Sequence, residues 1–428
     1  MSSRDFVLYA LQIATMLGFA LFFGQVMRRL KQPAVLGEMI GGIVLGPTIM
    51  GLLFPGLYQG LFLSSPSVTV VRDASIKMGM LFFLFIAGLE TNLSDLKTVG
   101  RKASLIGIIG TLVPIAAGIA LVYAVPRSFW GPVVQPHFFA FALFIGMNLA
   151  NSANPVLARI LMDLGLLKGG IGTICMTATI FDDLINWTLF AIVLSEIAPS
   201  GQAAATSLPM SIVLVGLVFV LILGVGRWLG PRTLHYFKGH LSWPIGFIAL
   251  TALVVLVAAS LTETLGVHAF LGAFLVGAAL GGHGDEHQEA HDVITRFALG
   301  FFAPIYFVSM GMTTNYITHF DGALVLVILV VALASKLLGV LLGARAAGMP
   351  IDREAWAMAF GLNARGATGI ILAGVGLAAG VIDDRIFVAI VVMALATSIL
   401  AGPTMNWLLS HRIHEARLAA GRVEASAE

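Results

Sequence analysis

Runs of about 20 apolar residues, the length needed to cross a bilayer as a helix, recur from one end of the chain to the other. Thirteen can be marked, at 6–27, 34–53, 75–90, 103–125, 136–162, 170–196, 209–229, 243–262, 266–282, 293–314, 323–344, 354–381 and 386–410. In hydrocarbon every backbone N–H and C=O must find its partner within the protein, which leaves helices and closed barrels as the spanning structures. Segments of this length predict an all-α polytopic membrane protein with about 13 transmembrane helices. Composition agrees: 58% of the 428 residues are apolar and 11% are charged, against about 25% charged in a soluble domain. A net charge of +2 without a basic run gives no reason to expect a nucleic-acid partner. The lone cysteine, Cys175, excludes an intrachain disulfide and reads as a buried thiol.

The basic residues test the span count. With the N-terminus outside, the inner loops, inner helix ends and C-terminal tail collect 16 Lys and Arg, and the outer segments hold only Arg4, Arg72, Arg127 and Arg385. That asymmetry is the positive-inside pattern. It predicts an outer N-terminus, a cytoplasmic C-terminus and a cell (inner) membrane location. The N-terminus has no cleavable signal pattern; its first apolar run is itself long enough to span and is followed by Arg28, Arg29 and Lys31. The expected organisation is a transmembrane domain over 1–410 and a short cytoplasmic tail over 411–428.

Two spans carry helix breakers at mid-length. The fifth contains Asn148-Leu-Ala-Asn151-Ser152-Ala-Asn154-Pro155, and the twelfth contains Gly361-Leu-Asn363-Ala-Arg365-Gly366-Ala-Thr368-Gly369. Pro155 removes a backbone donor and clashes one turn back, and the Gly and Asn residues are poor helix formers. Broken backbone at membrane depth survives where it is buried in protein or lines a cavity. The two breaks lie seven spans apart, an offset that reverses membrane orientation. Spans 1–6 and 8–13 are therefore expected to form inverted repeats joined by span 7, with two broken crossing helices. Matching broken helices in two halves mark a transporter's binding site.

Four basic residues, Lys77, Arg159, Lys336 and Arg365, fall well inside spans, where charges need a partner or a water-filled cavity. Asp182 and Asp183 sit at the middle of span 6, in Thr179-Ile-Phe-Asp-Asp-Leu-Ile-Asn186. Neighbouring helix positions differ by about 100°, so the two carboxylates point in different directions. A polar clamp between helices is the structural alternative. A carboxylate that gains or loses a proton offers a negative oxygen to a cation in one state and withdraws it in the other. Lys336 is about two turns from the nearer end of its span, too deep for easy snorkelling. Its expected partner is an intramembrane carboxylate, either as a proton-carrying pair or as a fixed ion pair. Arg365 is expected to order the second break by bonding loose carbonyls or an acid. Lys77 and Arg159 read as structural.

Glu38 and Glu90, near span ends, read as a polar collar, with ion entry as the sharper alternative. His283, His287 and His291 are spaced four apart in 281–291, as a metal or pH site would be, although a solvated loop is the simpler reading. Gly374-Val-Gly376-Leu-Ala-Ala-Gly380 looks like a nucleotide fingerprint but lacks a preceding strand. Gly37/Gly41, Gly42/Gly46 and Gly277/Gly281 predict close helix packing.

Several stretches resemble the second monovalent cation:proton antiporter family. Gln32-Pro-Ala-Val-Leu-Gly-Glu-Met-Ile-Gly-Gly-Ile-Val-Leu-Gly-Pro47 is similar to its early helix, and Leu81-Phe-Phe-Leu-Phe-Ile-Ala-Gly-Leu-Glu90 to its next. Pro155-Val-Leu-Ala-Arg-Ile-Leu-Met-Asp-Leu-Gly-Leu166, Asp182-Asp183, Pro304-Ile-Tyr-Phe-Val-Ser-Met-Gly311 and the Lys336 helix follow in family order, over residues 8–408. The resemblance implies a dimerisation domain beside a six-helix core, a homodimer and elevator-like movement. It implies that Asp183 is the ion-binding acid, that Asp182 is the preceding position and that Lys336 pairs with Asp182. It places Asn151, Ser152 and Asn154 in the first crossover, where the family more often has Thr and Ser. Potassium efflux members gated by glutathione add a cytosolic nucleotide-binding domain; with 18 residues after span 13, that regulation is expected to be absent.

The expected function is a secondary active Na⁺/H⁺ antiporter of the electrogenic kind, in which Asp182 and Asp183 both take part. A K⁺/H⁺ antiporter or K⁺ efflux protein is the alternative on the same scaffold. An organic-anion symporter, with Lys336 or Arg365 binding substrate, is the alternative from another class. No cofactor is expected beyond the transported Na⁺ (or K⁺ or Li⁺) and H⁺. No nucleophile–base pair points to an enzyme.

Overall fold

The computed structural model describes residues 2–30, 32, 34–90, 101–131, 137–164, 166–167, 170–197, 245–264, 269–280 and 288–425, with a few positions between 213 and 224. The regular structure among these residues is helical throughout. Seven of the described helices are long and apolar enough to cross a membrane: Ser3–Arg29, Ala34–Leu53, Arg101–Ala124, Gly170–Leu194, Asp292–Met312, Gly322–Ala346 and Asp384–Ser410. They match seven of the expected spans. Shorter helices, Ile245–Thr264 and Ala269–Leu280, stand at the eighth and ninth. The 209–229 span lies mostly outside the described residues.

Two boundaries differ from the sequence expectation. The third span, read as 75–90, is part of a longer helix, Pro66–Glu90. Pro66 fits the first helical position, where a missing N–H costs nothing. Arg72, expected in an outer loop, therefore sits in that helix and donates to the Phe62 carbonyl at 3.3 Å. Lys77 is exposed at mid-helix. The last helix runs as Asp384–Ala425, so the segment expected as a tail continues it.

The chain divides into two compact units, 1–94 with 194–319 and 95–193 with 320–428. The first is assembled through glycine faces. Gly37 and Gly41 of the Ala34–Leu45 helix lie on the Phe23 and Phe19 carbonyls of Ser3–Arg29. Gly42 and Gly46, on another side, meet the Ala303–Met312 helix; a Cβ on Gly46 would lie 2.8 Å from the Met312 Cα. Lipid tails give helices no hydrophobic reason to associate, so close backbone approach at small residues supplies the packing. Phe82, Phe85, Ile86, Val255 and Val276 form an apolar cluster in this unit.

The second unit contains both interrupted spans. Phe138–Ala150 ends at Asn151, and a new helix, Asn154–Asp163, starts with Pro155 in its first turn. Arg353–Gly361 ends before Leu362, and Gly366–Ala378 restarts the second span. The two breaks bond to each other. The Ala153 amide donates to the Ala364 carbonyl at 2.7 Å, and the Ser152 hydroxyl donates to the Leu362 carbonyl at 2.6 Å. Backbone groups released by one break are thus satisfied by the other, as a lipid-embedded chain requires. Gly366 has φ +40°, a left-handed conformation suited to glycine; its amide donates to Ser398 Oγ at 2.9 Å. Leu157, Ile160, Leu161, Cys175, Met358 and Met405 pack beneath the crossing, with Cys175 fully buried.

Candidate functional site

Three helices of the second unit meet through small residues, and that contact positions the acids. A Cβ on Gly107 would lie 2.7 Å from the Ala178 carbonyl oxygen, so Arg101–Ala124 and Gly170–Ile197 touch backbone to backbone there. One turn further along each helix, Thr111 Oγ1 donates to Asp182 Oδ1 at 2.9 Å. On the other side, Gly339 and Gly343 bring Gly322–Ala346 onto Arg101–Ala124; a Cβ on Gly343 would lie 2.7 Å from the Ile106 Cα. This places Lys336 Nζ 3.1 Å from Asp182 Oδ2, with both side chains 2% exposed. Lys336 also donates to the Ala150 carbonyl, left without a helical partner at the first break. Asn186 Nδ2, four residues on from Asp182, completes the set at 2.9 Å from Oδ1.

Asp183 points elsewhere. Its Oδ2 accepts from Asn154 Nδ2 at 2.6 Å, and Thr179 donates to Asn154 Oδ1. Asn154 begins the second half of the broken span, so the positive end of that helix lies beside Asp183. The adjacent acids therefore have different partners: an ammonium, a hydroxyl and the Asn186 amide at Asp182, and the Asn154 amide among those at Asp183.

Arg365 is fully buried. Its terminal nitrogens donate to the Asn363 carbonyl at 3.3 Å, the Asn363 side chain, the Leu149 carbonyl at 2.5 Å and the Ala332 carbonyl at 2.9 Å. The Leu149 and Asn363 carbonyls lie at the two breaks, and Ala332 lies in the Lys336 helix.

Of the four crossover candidates, Asn154 reaches an acid, Ser152 bonds to the opposite break and Arg365 bonds carbonyls. Asn151 is fully buried, and its side-chain oxygen and nitrogen have no hydrogen-bond partner among the described residues. Thr111, Asn186 and Thr179 were not singled out from sequence. Asn186 and Thr179 had a signal, since they lie one turn from the acids on the same helix. Thr111 had only Gly107, one turn before it.

Glu38 is buried in the first unit, and its Oε2 has no partner among the described residues. The Glu90, Arg159 and His291 side chains and the histidines His283 and His287 lie outside the described residues. Among the described residues, no group of three or more His, Cys, Asp or Glu could hold a metal.

Membrane-crossing helices, two interrupted helices whose breaks bond to each other and a buried acid pair beside them define a membrane transporter rather than an enzyme. The chain belongs to the family described as sodium/hydrogen exchanger, transmembrane, whose model matches residues 16–411. It is a cation/proton antiporter of that family. It is 32% identical over 406 residues to the Na(+)/H(+) antiporter NhaS4 of Synechocystis sp., covering 94% of this chain and 97% of that one. It is 27% identical to the Na(+)/H(+)-K(+) antiporter GerN of Bacillus cereus, covering 92% and 95%. It is 32% identical to cation/H(+) antiporter 18 of Arabidopsis thaliana but spans only 48% of that protein's length; the other plant relatives it matches are likewise about twice as long. The sodium proton antiporter MjNhaP1 of Methanocaldococcus jannaschii shares the fold, with a TM-score of 0.66 and 14% identity over 96% of this chain and 98% of that one.

Proposed function

We propose that the chain exchanges Na⁺ for protons, with Asp183 as the ion-binding carboxylate and Asp182 with Lys336 as a switchable pair. The observation that carries this reading is the unequal treatment of two neighbouring buried acids. Asp182 is held by Lys336, Thr111 and Asn186, while Asp183 meets the Asn154 amide. A hard monovalent cation wants oxygen ligands and a compensating charge, and a deprotonated Asp183 offers both. Na⁺ arriving beside Asp182 competes for its oxygens. Lys336 then loses the partner that favours its charged form and releases a proton. Asp183 gives up the other proton when it takes the ion, and return of the empty carrier restores both protons and the pair.

On this reading two protons move per Na⁺, and the exchange is electrogenic, responding to membrane potential at about 2.3 kcal/mol per unit charge per 100 mV. The acids, Lys336 and both breaks belong to one compact unit, which supports elevator-type alternating access with that unit as the moving part. Asn151, Ser152, Asn154 and Arg365 shape the crossing beside the ion. The protein works as a homodimer in the cell (inner) membrane, N-terminus outside and C-terminus cytoplasmic, with spans 1–6 and 8–13 as inverted repeats.

Na⁺ is favoured because NhaS4, a Na(+)/H(+) antiporter by name, matches nearly end to end. K⁺ transport on the same residues is the second reading, favoured by the name of GerN. An organic anion would need a free cationic group, whereas Lys336 and the terminal nitrogens of Arg365 are engaged. Proteoliposomes loaded with a pH dye decide among these. Proton release on addition of Na⁺ or Li⁺ but not K⁺ or choline is expected. Equal release with K⁺ selects the second reading, and no cation-dependent release removes both.

A further inference from the structure

The Phe138–Ala150 and Gly170–Ile197 helices run side by side in opposite directions. Phe144 and Phe190 pack with ring centroids 6.0 Å apart and planes tilted by 41°. Asn154 meets Asp183 at 2.6 Å. Partner numbers fall along Gly170–Ile197 as they rise through the broken span, with one rung before the break and one, at Asn154, after it. In sequence, Asn148 and Asn151 lie between Phe144 and Asn154 on one span, and Asn186 lies between Asp183 and Phe190 on the other. The Gly366–Ala378 helix closes a third side in the same sense: a Cβ on Gly376 would run into the Phe144 ring, and one on Gly369 would meet Asn151 Nδ2 at 3.4 Å.

All three asparagines are 1% exposed or less. Asn148 Oδ1, Asn151 Oδ1 and Asn186 Oδ1 have no hydrogen-bond partner among the described residues. Two of the three amides cannot turn over to relieve this. Asn148 Nδ2 donates to the Phe144 carbonyl at 2.9 Å, and Asn186 Nδ2 donates to Asp182 Oδ1 at 2.9 Å. Flipping either would set oxygen against oxygen. Buried acceptors without donors are costly, so such a cluster calls for a ligand. The unsatisfied set is three acceptors and one donor, Asn151 Nδ2, beside a carboxylate. That excess of oxygen suits a cation whose water shell is replaced by carbonyl ligands.

We propose a second cation site, one helical turn from the acid pair, built from the side-chain oxygens of Asn148, Asn151 and Asn186. It takes a partly dehydrated monovalent cation on its way to or from Asp183. The Phe144–Phe190 ring contact closes the end remote from the acids. The proposal rests on the cation-exchange reading above and deepens it.

The test is Na⁺-driven proton flux in proteoliposomes of the full chain as a function of Na⁺ concentration. Asn148→Leu is the main variant, because Asn148 bonds neither acid. Removing one ligand oxygen is expected to raise the apparent KM for Na⁺ about tenfold and lower the saturated rate by no more than about twofold. Asn148→Ser, which keeps an oxygen, is expected to recover most of the affinity. An unchanged KM overturns the site, as does a loss of rate at constant KM, which marks a water-filled or merely structural pocket. If the leucine variant does not fold, Asn148→Ser and Asn148→Ala decide: equal KM values overturn the proposal, and a higher value for alanine supports it. Parent protein without cation-dependent flux is a separate result that removes the exchange reading itself.

Discussion

Lys336 Nζ and Asp182 Oδ2 lie 3.1 Å apart with both side chains 2% exposed, and the lysine also reaches the Ala150 carbonyl at the first break. Taking two charges out of water costs several kcal/mol per ion, repaid only by close mutual contact and further hydrogen bonds. Lys336→Gln alone leaves a buried carboxylate unpaired and is expected to destabilise by about 3–5 kcal/mol. Lys336→Gln with Asp182→Asn removes both charges and should recover most of the loss in a thermal unfolding assay. If the lysine carries a proton, that double variant, where it still transports, becomes electroneutral and gives no voltage-dye response to a Na⁺ jump. Transport that stays voltage-driven in the double variant rules out a proton carried on Lys336.

Asp183→Asn is the sharpest test of the ion-binding assignment. The amide keeps the shape and can still bond Asn154, so the protein should fold with near-parental thermal stability. Cation-dependent proton release should vanish. Near-normal exchange in this variant would move the binding charge away from Asp183.

Much of this arrangement is legible in the sequence because charge at membrane depth is rare. Asp182, Asp183, Lys336 and Arg365 stand out against apolar runs, and Pro155 and Gly366 announce the two breaks. The lysine's partner was also within reach, since an isolated buried ammonium needs a carboxylate. Pairing across helices was less visible. Thr111 is an ordinary residue in an apolar helix, and only the close approach at Gly107 and Ala178 turns it toward Asp182. The fate of Ser152 also required the structure: its hydroxyl reaches the opposite break rather than an acid, because two breaks that meet satisfy each other's loose backbone. The start of the third helix lies at Pro66 and not at 75 because Arg72 and Asp73 lower the local hydropathy, while Pro66 marks a helix start.

The contact at Gly107 makes its own prediction. A side chain there must push against the Ala178 backbone, which cannot yield as a flexible side chain could. Overpacking of this kind costs about 1–3 kcal/mol. Gly107→Val should separate the two helices and weaken the Thr111 bond to Asp182, lowering both thermal stability and Na⁺ affinity. Thr111→Val removes the same bond without the strain. If Gly107→Val lowers stability yet binds Na⁺ like the parent, the bond from Thr111 has no part in tuning the acid.

Topology is open to a simple check. The 16-to-4 distribution of basic residues predicts a cytoplasmic C-terminus. A reporter fused after Glu428 should be active inside the cell. Activity on the outer side would require an even number of crossings and would dissolve the inverted-repeat relation between spans 5 and 12.

Asp321 gives a prediction outside the membrane-spanning segments. It caps the Gly322–Ala346 helix, its Oδ1 accepting from the Ala323 and Leu324 amides at 3.1 Å each. Its other oxygen pairs with Arg385. The Leu324 amide first, and the Arg385 guanidinium next, hold the Asp321 carboxyl below its ordinary value of 3.8. A carboxyl whose folded value is depressed contributes stability that is fully present above the unfolded value and is lost as pH falls through the folded one. Asp321→Ala should therefore cost about 1 kcal/mol at neutral pH, the usual worth of a helix cap. The Arg385 side chain is 40% exposed, so solvent screening limits its share and Arg385→Gln should cost less. The difference in melting temperature between parent and Asp321→Ala, followed in detergent, should narrow as pH drops below the ordinary aspartate range. A gap of constant size down to strongly acidic pH would show that the cap acts through packing and not through its charge.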